Sequence, residues 1–162
     1  MNKKEEQFNR LVSDHKKTIY SVCYMFSNQS YEVEELFQET LIRLWTGFES
    51  FAGRSEERTW VYRVALNTAI NLHKSKKRRV HTMPLTFDIE ALPPDDAKSQ
   101  QVRQLHDIIA QLDPMDKALV QLWLDDLSYA DIGAIMGITP SNVGSRLMRI
   151  KEKLIELSKK SN

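Results

Sequence analysis

The amino-acid sequence predicts an all-α protein: two small helical domains joined by a flexible linker, the C-terminal one a helix-turn-helix. Three observations carry that prediction. Apolar residues recur at helical spacing from Phe8 to Leu72. The segment 81–100 then loses this periodicity and holds Pro84, Pro93 and Pro94, three of the chain's five prolines. Beyond it come a short apolar helix, a glycine-bearing turn and a second helix rich in Ser, Asn and Arg. Only five glycines and five prolines occur in 162 residues, which favours helix over loop or sheet. The expected division is 1–80, a linker over 81–100, and 101–162.

In chain order, Phe8, Leu11, Val12, His15, Ile19, Val22, Cys23 and Phe26 predict a first helix near 4–26, and Ser27 to Ser30 a polar break. A second helix near 31–48 has Leu36, Phe37, Thr40, Leu41, Leu44, Trp45 and Phe48 on its buried side. Residues 51–58 read as a loop with Gly53 as its flexible point. A third helical run spans Thr59 to Arg79, and the three together suffice for one small bundle core. After the linker, Val102, Leu105, Ile108, Ile109 and Leu112 resume the helical pattern, followed by a helix over about 116–124.

The run from Leu127 sets out the helix-turn-helix. Ser128 followed by Asp131 is a variant of the capping box before a short helix buried through Ile132, Ile135 and Met136. Gly133 permits close packing and Gly137 sits at the turn. Thr139 suits an N-cap and Pro140 a first helical position. The last helix buries Val143, Leu147, Ile150, Leu154 and Leu157 and exposes Asn142, Ser145, Arg146, Arg149, Lys151 and Lys153. An ordinary αα-hairpin shares this outline; the small turn residues and the excess of bases favour DNA.

Charge is segregated, not balanced. The net charge is +1, yet 31–39 carries Glu32, Glu34, Glu35 and Glu39 without a base, and 74–79 carries five bases without an acid. One acidic and one basic contact surface are expected. Cys23, the only cysteine, excludes an internal disulfide and reads as a small buried hydrophobe. The charged N-terminal stretch lacks a signal-peptide core and no apolar run approaches a membrane span, so a cytoplasmic protein is expected. His15, His73, His81 and His106 are scattered, with no zinc-binding pair, phosphate-cradling glycine loop or nucleophile motif. An enzyme, a metal site and a small-molecule cofactor are not expected.

The third helical run sorts into two faces at about 100° per residue. Val61, Ala65, Ala69 and Leu72 form an apolar stripe, while Trp60, Arg63, Asn67, Asn71 and Lys74 line another. Lys76, Lys77, Arg78 and Arg79 extend its basic end. An aromatic, two amides and a cation on one face suit stacking on bases and bonding their edges, and the terminal bases suit phosphates. A solvated amphipathic helix has the same pattern; the neighbouring segments decide.

YEVEELFQETLIRLW resembles the acidic polymerase-binding stretch of group IV, extracytoplasmic-function sigma factors of the sigma-70 family. FAGRSEERTWVYRVALNTAINLHKSKKRR resembles the segment with which that family reads and melts the promoter −10 element. LDPMDKALVQLWLDDLSYADIGAIMGITPSNVGSRLMRIKEKL resembles its −35 reading domain. The three occur in the family's order around a linker too short for the middle domain that this group lacks.

The resemblance implies a function and its residues. Glu35, Gln38, Glu39 and Arg43 would dock on the clamp coiled coil of the largest subunit of core RNA polymerase. Trp60, Arg63, Asn67 and Asn71 would contact −10 DNA, with residues 52–59 a pocket for a flipped base. Trp60 has a rival role in the core. Lys74, Lys76, Lys77, Arg78 and Arg79 would hold duplex phosphates. Asn142, Ser145, Arg146, Met148 and Arg149 would read the −35 element. Gly144 stands where the family often has a basic residue, which removes one groove contact, and Asp113-Pro114-Met115 departs from the usual Leu-Pro opening. A membrane-anchored anti-sigma factor is the implied regulator.

A coil of roughly 20 residues spans about 25 Å r.m.s. and at most about 70 Å, against about 34 Å per turn of duplex. Simultaneous engagement of two promoter elements then needs the domains held apart, as on a polymerase surface. Two rival readings remain open on the sequence. A helix-turn-helix regulator with a separate sensing domain leaves the basic third helix unexplained, and an RNA-binding adaptor is allowed by the basic segments.

Overall fold

The computed structural model describes residues 2–27, 30–74 and 100–161, and all regular structure among them is helical. The seven helices are α1 (Lys3–Met25), α2 (Ser30–Phe51), α3 (Glu57–Lys74), α4 (Gln100–Ile109), α5 (Pro114–Leu124), α6 (Tyr129–Met136) and α7 (Pro140–Ser161). The chain divides into two compact units, Met1–Pro94 and Asp95–Asn162. The expected linker, except Gln100, lies outside the described residues, as do Lys76, Lys77, Arg78 and Arg79.

In the first unit α1, α2 and α3 each pack on the other two. A capping box opens α1: the Asn2 side chain accepts from the Glu5 amide at 2.9 Å, and the Asn2 amide donates to the Glu5 carboxylate at 3.3 Å. Phe8, Leu11, Ile19 and Val22 meet Leu36, Phe37, Leu41 and Leu44 of α2 and Val61, Tyr62, Ala65, Leu66 and Ala69 of α3 in a buried core. Each large side chain so buried contributes about 1.5–3 kcal/mol. Phe8 meets Trp45 and Phe48 edge-on, at 5.2 and 5.5 Å between centroids.

Cys23, Thr40 and Thr68 are among the polar groups buried there. The Thr40 hydroxyl is fully buried and donates to the Leu36 carbonyl at 2.7 Å, so its burial leaves no donor unpaired. Burial pushes the Cys23 thiol up to about 12, against a weaker opposing hydrogen bond with Thr40. Cys23 is the inert hydrophobe its position on the apolar stripe predicts.

Two expectations need correction. Helix α2 runs one turn past Phe48 to Phe51, because the Phe51 ring finds a tertiary partner in Trp60. The buried side of α3 includes Tyr62, Leu66 and Thr68, while Leu72 is only half-buried; α3 packs against two helices, so one stripe of small residues cannot cover both. His15 is packed and partly exposed, as its place on the apolar stripe suggests, with its imidazole 3.5 Å from the Glu57 carboxylate in the first turn of α3.

In the second unit α7 packs against α4, α5 and α6. Asp113 caps α5, its carboxylate accepting from the Asp116 amide at 2.9 Å, and Pro114 takes the first helical position. The Asp-Pro departure from the family pattern is therefore a helix start. Of the five α4 positions expected to be apolar contacts, Ile109 and Leu112 are buried, whereas Val102 and Leu105 are 41% and 45% exposed. Leu112 also lies past the helix end, in a turn closed by amide bonds from Gln111 to Ile108 and from Leu112 to Ile109.

The helix-turn-helix closes on Gly133. The Gly137 and Ile138 amides both donate to the Gly133 carbonyl, at 2.7 and 3.0 Å. Gly137 takes the left-handed conformation at φ 74°, as helix C-caps favour. A Cβ at position 133 would stand 2.5 Å from the Ile138 carbonyl oxygen, so the turn folds back over the bare α carbon. Thr139 then starts α7, its hydroxyl accepting from the Asn142 amide at 3.1 Å.

Candidate nucleic-acid interface

Helix α3 presents Arg63, Asn67 and Asn71 to solvent. Their spacing puts them on one side, opposite the buried Val61, Ala65 and Ala69. Each Asn offers both a donor and an acceptor, the pair needed to match a base edge, and Arg63 adds a planar donor fork. Lys74 closes the helix.

Trp60 shares this face by spacing but not by position. Side chains on a helix lean toward its N-terminus, so the indole reaches back over the end of α2. It stacks on Phe51 at 4.4 Å and 12°, with Phe48 tilted behind at 6.5 Å. Gly47 lies beneath, where a Cβ would meet the indole at 3.5 Å.

Between Phe51 and α3 the chain turns sharply. Ala52 has φ 40° and Gly53 φ 71°, and the Arg54 amide donates to the Phe51 carbonyl at 2.8 Å. A left-handed alanine costs about 1–2 kcal/mol, so tertiary contacts must hold it there. The first intrahelical bond of α3 runs from the Trp60 amide to the Glu56 carbonyl at 3.0 Å. Helix α3 thus begins at Glu57, and the loop is 52–56 rather than 51–58.

On α2, Gln38 and Arg43 are exposed, but Glu35 and Glu39 are half-buried. The Glu39 carboxylate, 16% exposed, lies 3.3 Å from the Arg43 guanidinium one turn on. The face is therefore partly neutralised and less uniformly exposed than the helical wheel implies. Lys4 lies near its end, bridged to Glu49 at 3.0 Å and set over the Trp45 ring at 4.1 Å.

In the second unit, Ser145, Met148 and Arg149 stand out from α7, with Met148 65% exposed. Asn142 and Arg146 are half-buried. Lys151, expected among the exposed bases, is half-buried over the Trp123 ring at 4.5 Å. The Asp116 carboxyl is held above the usual carboxylate range, first by burial and next by Asp113, against the pull of Lys153, Arg146 and Arg149. Asp116 at the start of α5 therefore feels the same cations that line α7.

Gly144 has a physical reason that periodicity does not show. The Tyr129 ring of α6 lies over it, 3.3 Å from where a Cβ would stand, and Tyr129 is itself 42% exposed. The place of the missing side chain is filled by an aromatic from the preceding helix. Only the pairing of a lone exposed aromatic with a glycine on the reading helix could have signalled it. Among the described residues no acid, histidine or cysteine cluster could hold a metal, and no helix is long and apolar enough to cross a membrane.

A three-helix unit with an amide-bearing face, followed by a helix-turn-helix with a cationic second helix, has the frame of a promoter-reading protein. The sequence matches two families in that order, Sigma-70 region 2 over residues 11–79 and Sigma-70 region 4 over residues 102–154. The chain belongs to the sigma-70 family, within its extracytoplasmic-function group. It is similar to the ECF RNA polymerase sigma factor SigW of Bacillus subtilis, 28% identical over 93% of this chain and 88% of the relative. It is also similar to SigE of Mycolicibacterium smegmatis, 27% identical over 91% of this chain but spanning only 60% of that relative's length. Among solved structures, CnrH in complex with the cytosolic domain of CnrY has the same fold, with TM-score 0.68 and 18% identity over 96% of this chain and 89% of that one. So does the sigma factor RpoE of Bartonella quintana in complex with the anti-sigma factor NepR, with TM-score 0.67 and 20% identity over 95% and 98%.

Proposed function

We propose that this chain is an RNA polymerase sigma subunit that directs promoter-specific initiation in the bacterial cytoplasm and has no catalytic activity of its own. The observation that carries the reading is the order of two sigma regions on one chain. The N-terminal domain, 1–80, binds core polymerase and the −10 element; 81–100 is a tether; 101–162 binds the −35 element. Glu35, Gln38, Glu39 and Arg43 dock on the clamp coiled coil, where a polar surface around an apolar centre suits a releasable interface. Arg63, Asn67 and Asn71 read −10 bases exposed by melting, and loop 52–56 receives one flipped base. Lys74, Lys76, Lys77, Arg78 and Arg79 hold the duplex backbone just upstream. Asn142, Ser145, Arg146, Met148 and Arg149 enter the −35 major groove, Met148 offering an apolar contact to a thymine methyl.

An anti-sigma factor, membrane-anchored, covers these faces until it is released. The two solved neighbours, each bound to a partner of its own, support that regulation. Transcription with purified core polymerase tests the function. A sigma subunit restores initiation from specific start sites, whereas a helix-turn-helix regulator leaves core polymerase unable to choose them. Promoter binding should be weak for the chain alone and tight for the holoenzyme; nanomolar specific binding without polymerase overturns the tethered reading.

A further inference from the structure

We infer that Trp60 is a positioning residue for −10 capture: stacked on Phe51, it clasps the two ends of loop 52–56 and presets the shape that receives the flipped base. The inference rests on the sigma reading above and assigns Trp60 a role apart from Arg63, Asn67 and Asn71.

Phe51 is the last residue of α2 and Trp60 lies in the first turn of α3, so the loop hangs between the two rings. Their near-parallel contact at 4.4 Å covers one face of the indole. Phe48 and the Gly47 backbone occupy its surroundings on the α2 side. The loop itself holds a left-handed Ala52, a conformation that relaxes unless its ends are fixed. The Arg54 amide, bonded to the Phe51 carbonyl, ties the turn to one of the clasped residues. His15 of α1 stands 3.5 Å from Glu57 in that same first turn of α3.

The consequence is energetic. Capturing a base already requires unstacking it from the duplex. A loop that must also be ordered at that moment adds its own conformational entropy to the barrier. A preset loop leaves only the base to be moved. An aromatic pair contributes enough beyond simple burial to change an equilibrium by about 2–10-fold.

The test uses the full chain assembled with core polymerase on a promoter carrying a fluorescent base in the −10 element. Phe51→Ala and Trp60→Ala should each slow open-complex formation by about 5–10-fold, and the double variant should be no worse than either single. Trp60→Phe and Phe51→Tyr keep a ring pair and should stay within about 2-fold of the unaltered protein. Core binding and −35 binding should not change in any of them. Hydrogen exchange in the free chain supplies a readout independent of DNA: the Arg54 amide should exchange faster in both alanine variants and normally in the two conservative ones.

Equal loss in Trp60→Phe and Trp60→Ala, with Phe51→Ala near normal, means that the indole touches DNA and overturns the inference. Additive loss in the double variant, or unchanged Arg54 exchange, overturns it too. If the unaltered protein forms no open complex although Arg54 exchange responds as stated, the clasp is real and the sigma reading is what fails.

Discussion

Replacing Gly133 by alanine sets helix propensity against geometry. Gly133 lies inside α6, so propensity alone favours alanine by about 1 kcal/mol. The new Cβ, however, would stand 2.5 Å from the Ile138 carbonyl oxygen and 3.6 Å from the Pro140 nitrogen. Reaching ordinary contact at 3.4 Å requires that oxygen to retreat by 3.4 − 2.5 = 0.9 Å. Both neighbours are backbone, so no side-chain rotation relieves the clash. The retreat pulls on the Gly137 and Ile138 amides, which share the Gly133 carbonyl at 2.7 and 3.0 Å. Overpacking costs about 1–3 kcal/mol and a weakened backbone bond about 1 kcal/mol more. After the propensity gain, the net loss is about 2 kcal/mol, or about 10 °C in melting temperature for a unit of this size. Scanning calorimetry of the full chain should show the C-terminal transition lowered by that amount and the N-terminal one unmoved. In the holoenzyme, −35 contacts should weaken while contacts to the −10 element persist. A rise in the C-terminal melting temperature would refute the reasoning, since it would mean that propensity outweighs the tight turn.

The remaining predictions concern the reading faces and the N-terminal core. Asn67→Ala should lower promoter-specific initiation by about 10-fold, the scale of one base-edge contact, while core-polymerase binding measured by native gel shift is unchanged. Lost core binding would make Asn67 structural. Gly144→Lys should displace the Tyr129 ring by a few tenths of an ångström and bring a cation to the −35 face. The slope of log affinity against log salt for holoenzyme on a −35 duplex should then steepen by about 1. The Cys23 thiol is neutral in the folded chain up to about 12, whereas an exposed thiol ionises near 9.0. Its contribution to stability is complete below pH 9 and is lost as pH rises from 9 toward 12, because only the unfolded chain gives up the proton there. Cys23→Ala should flatten the fall in stability of the N-terminal unit across that window, by up to about 1.4 kcal/mol per pH unit, as read by urea denaturation at each pH.

Much of this was legible in the sequence because helices announce themselves locally. Apolar spacing located six helical segments within a few residues, and the Ser128, Thr139 and Pro140 signals marked the helix-turn-helix starts where the backbone begins them. The misses share a cause. Periodicity gives the direction of a Cβ, not the reach of the side chain beyond it. Trp60 falls on the wheel with Asn67, and periodicity left it open between the core and a base; its ring ends on Phe51. Lys151 looks like one more exposed base, yet it lies over Trp123. Val102 and Leu105 have the spacing of core residues, yet they are 41% and 45% exposed while Ile109 at the end of α4 is buried. Tertiary partners decide these cases, and a single helix contains no record of its neighbours. Arg63, Asn67 and Asn71 stood out because helical spacing alone puts them on an exposed face.

The three tryptophans occupy three different stations. Trp45 lies beneath Lys4, Trp60 beside loop 52–56, and Trp123 beneath Lys151 in the helix-turn-helix unit. All three are half-buried, so the emission of each shifts when its own surroundings open. Trp123 is the sole indole of its unit, and a Trp45→Phe protein leaves Trp60 alone in the other. Proteins that keep Trp60 or Trp123 alone thus report on the turn before α3 and on C-terminal unfolding as separate signals without an attached dye.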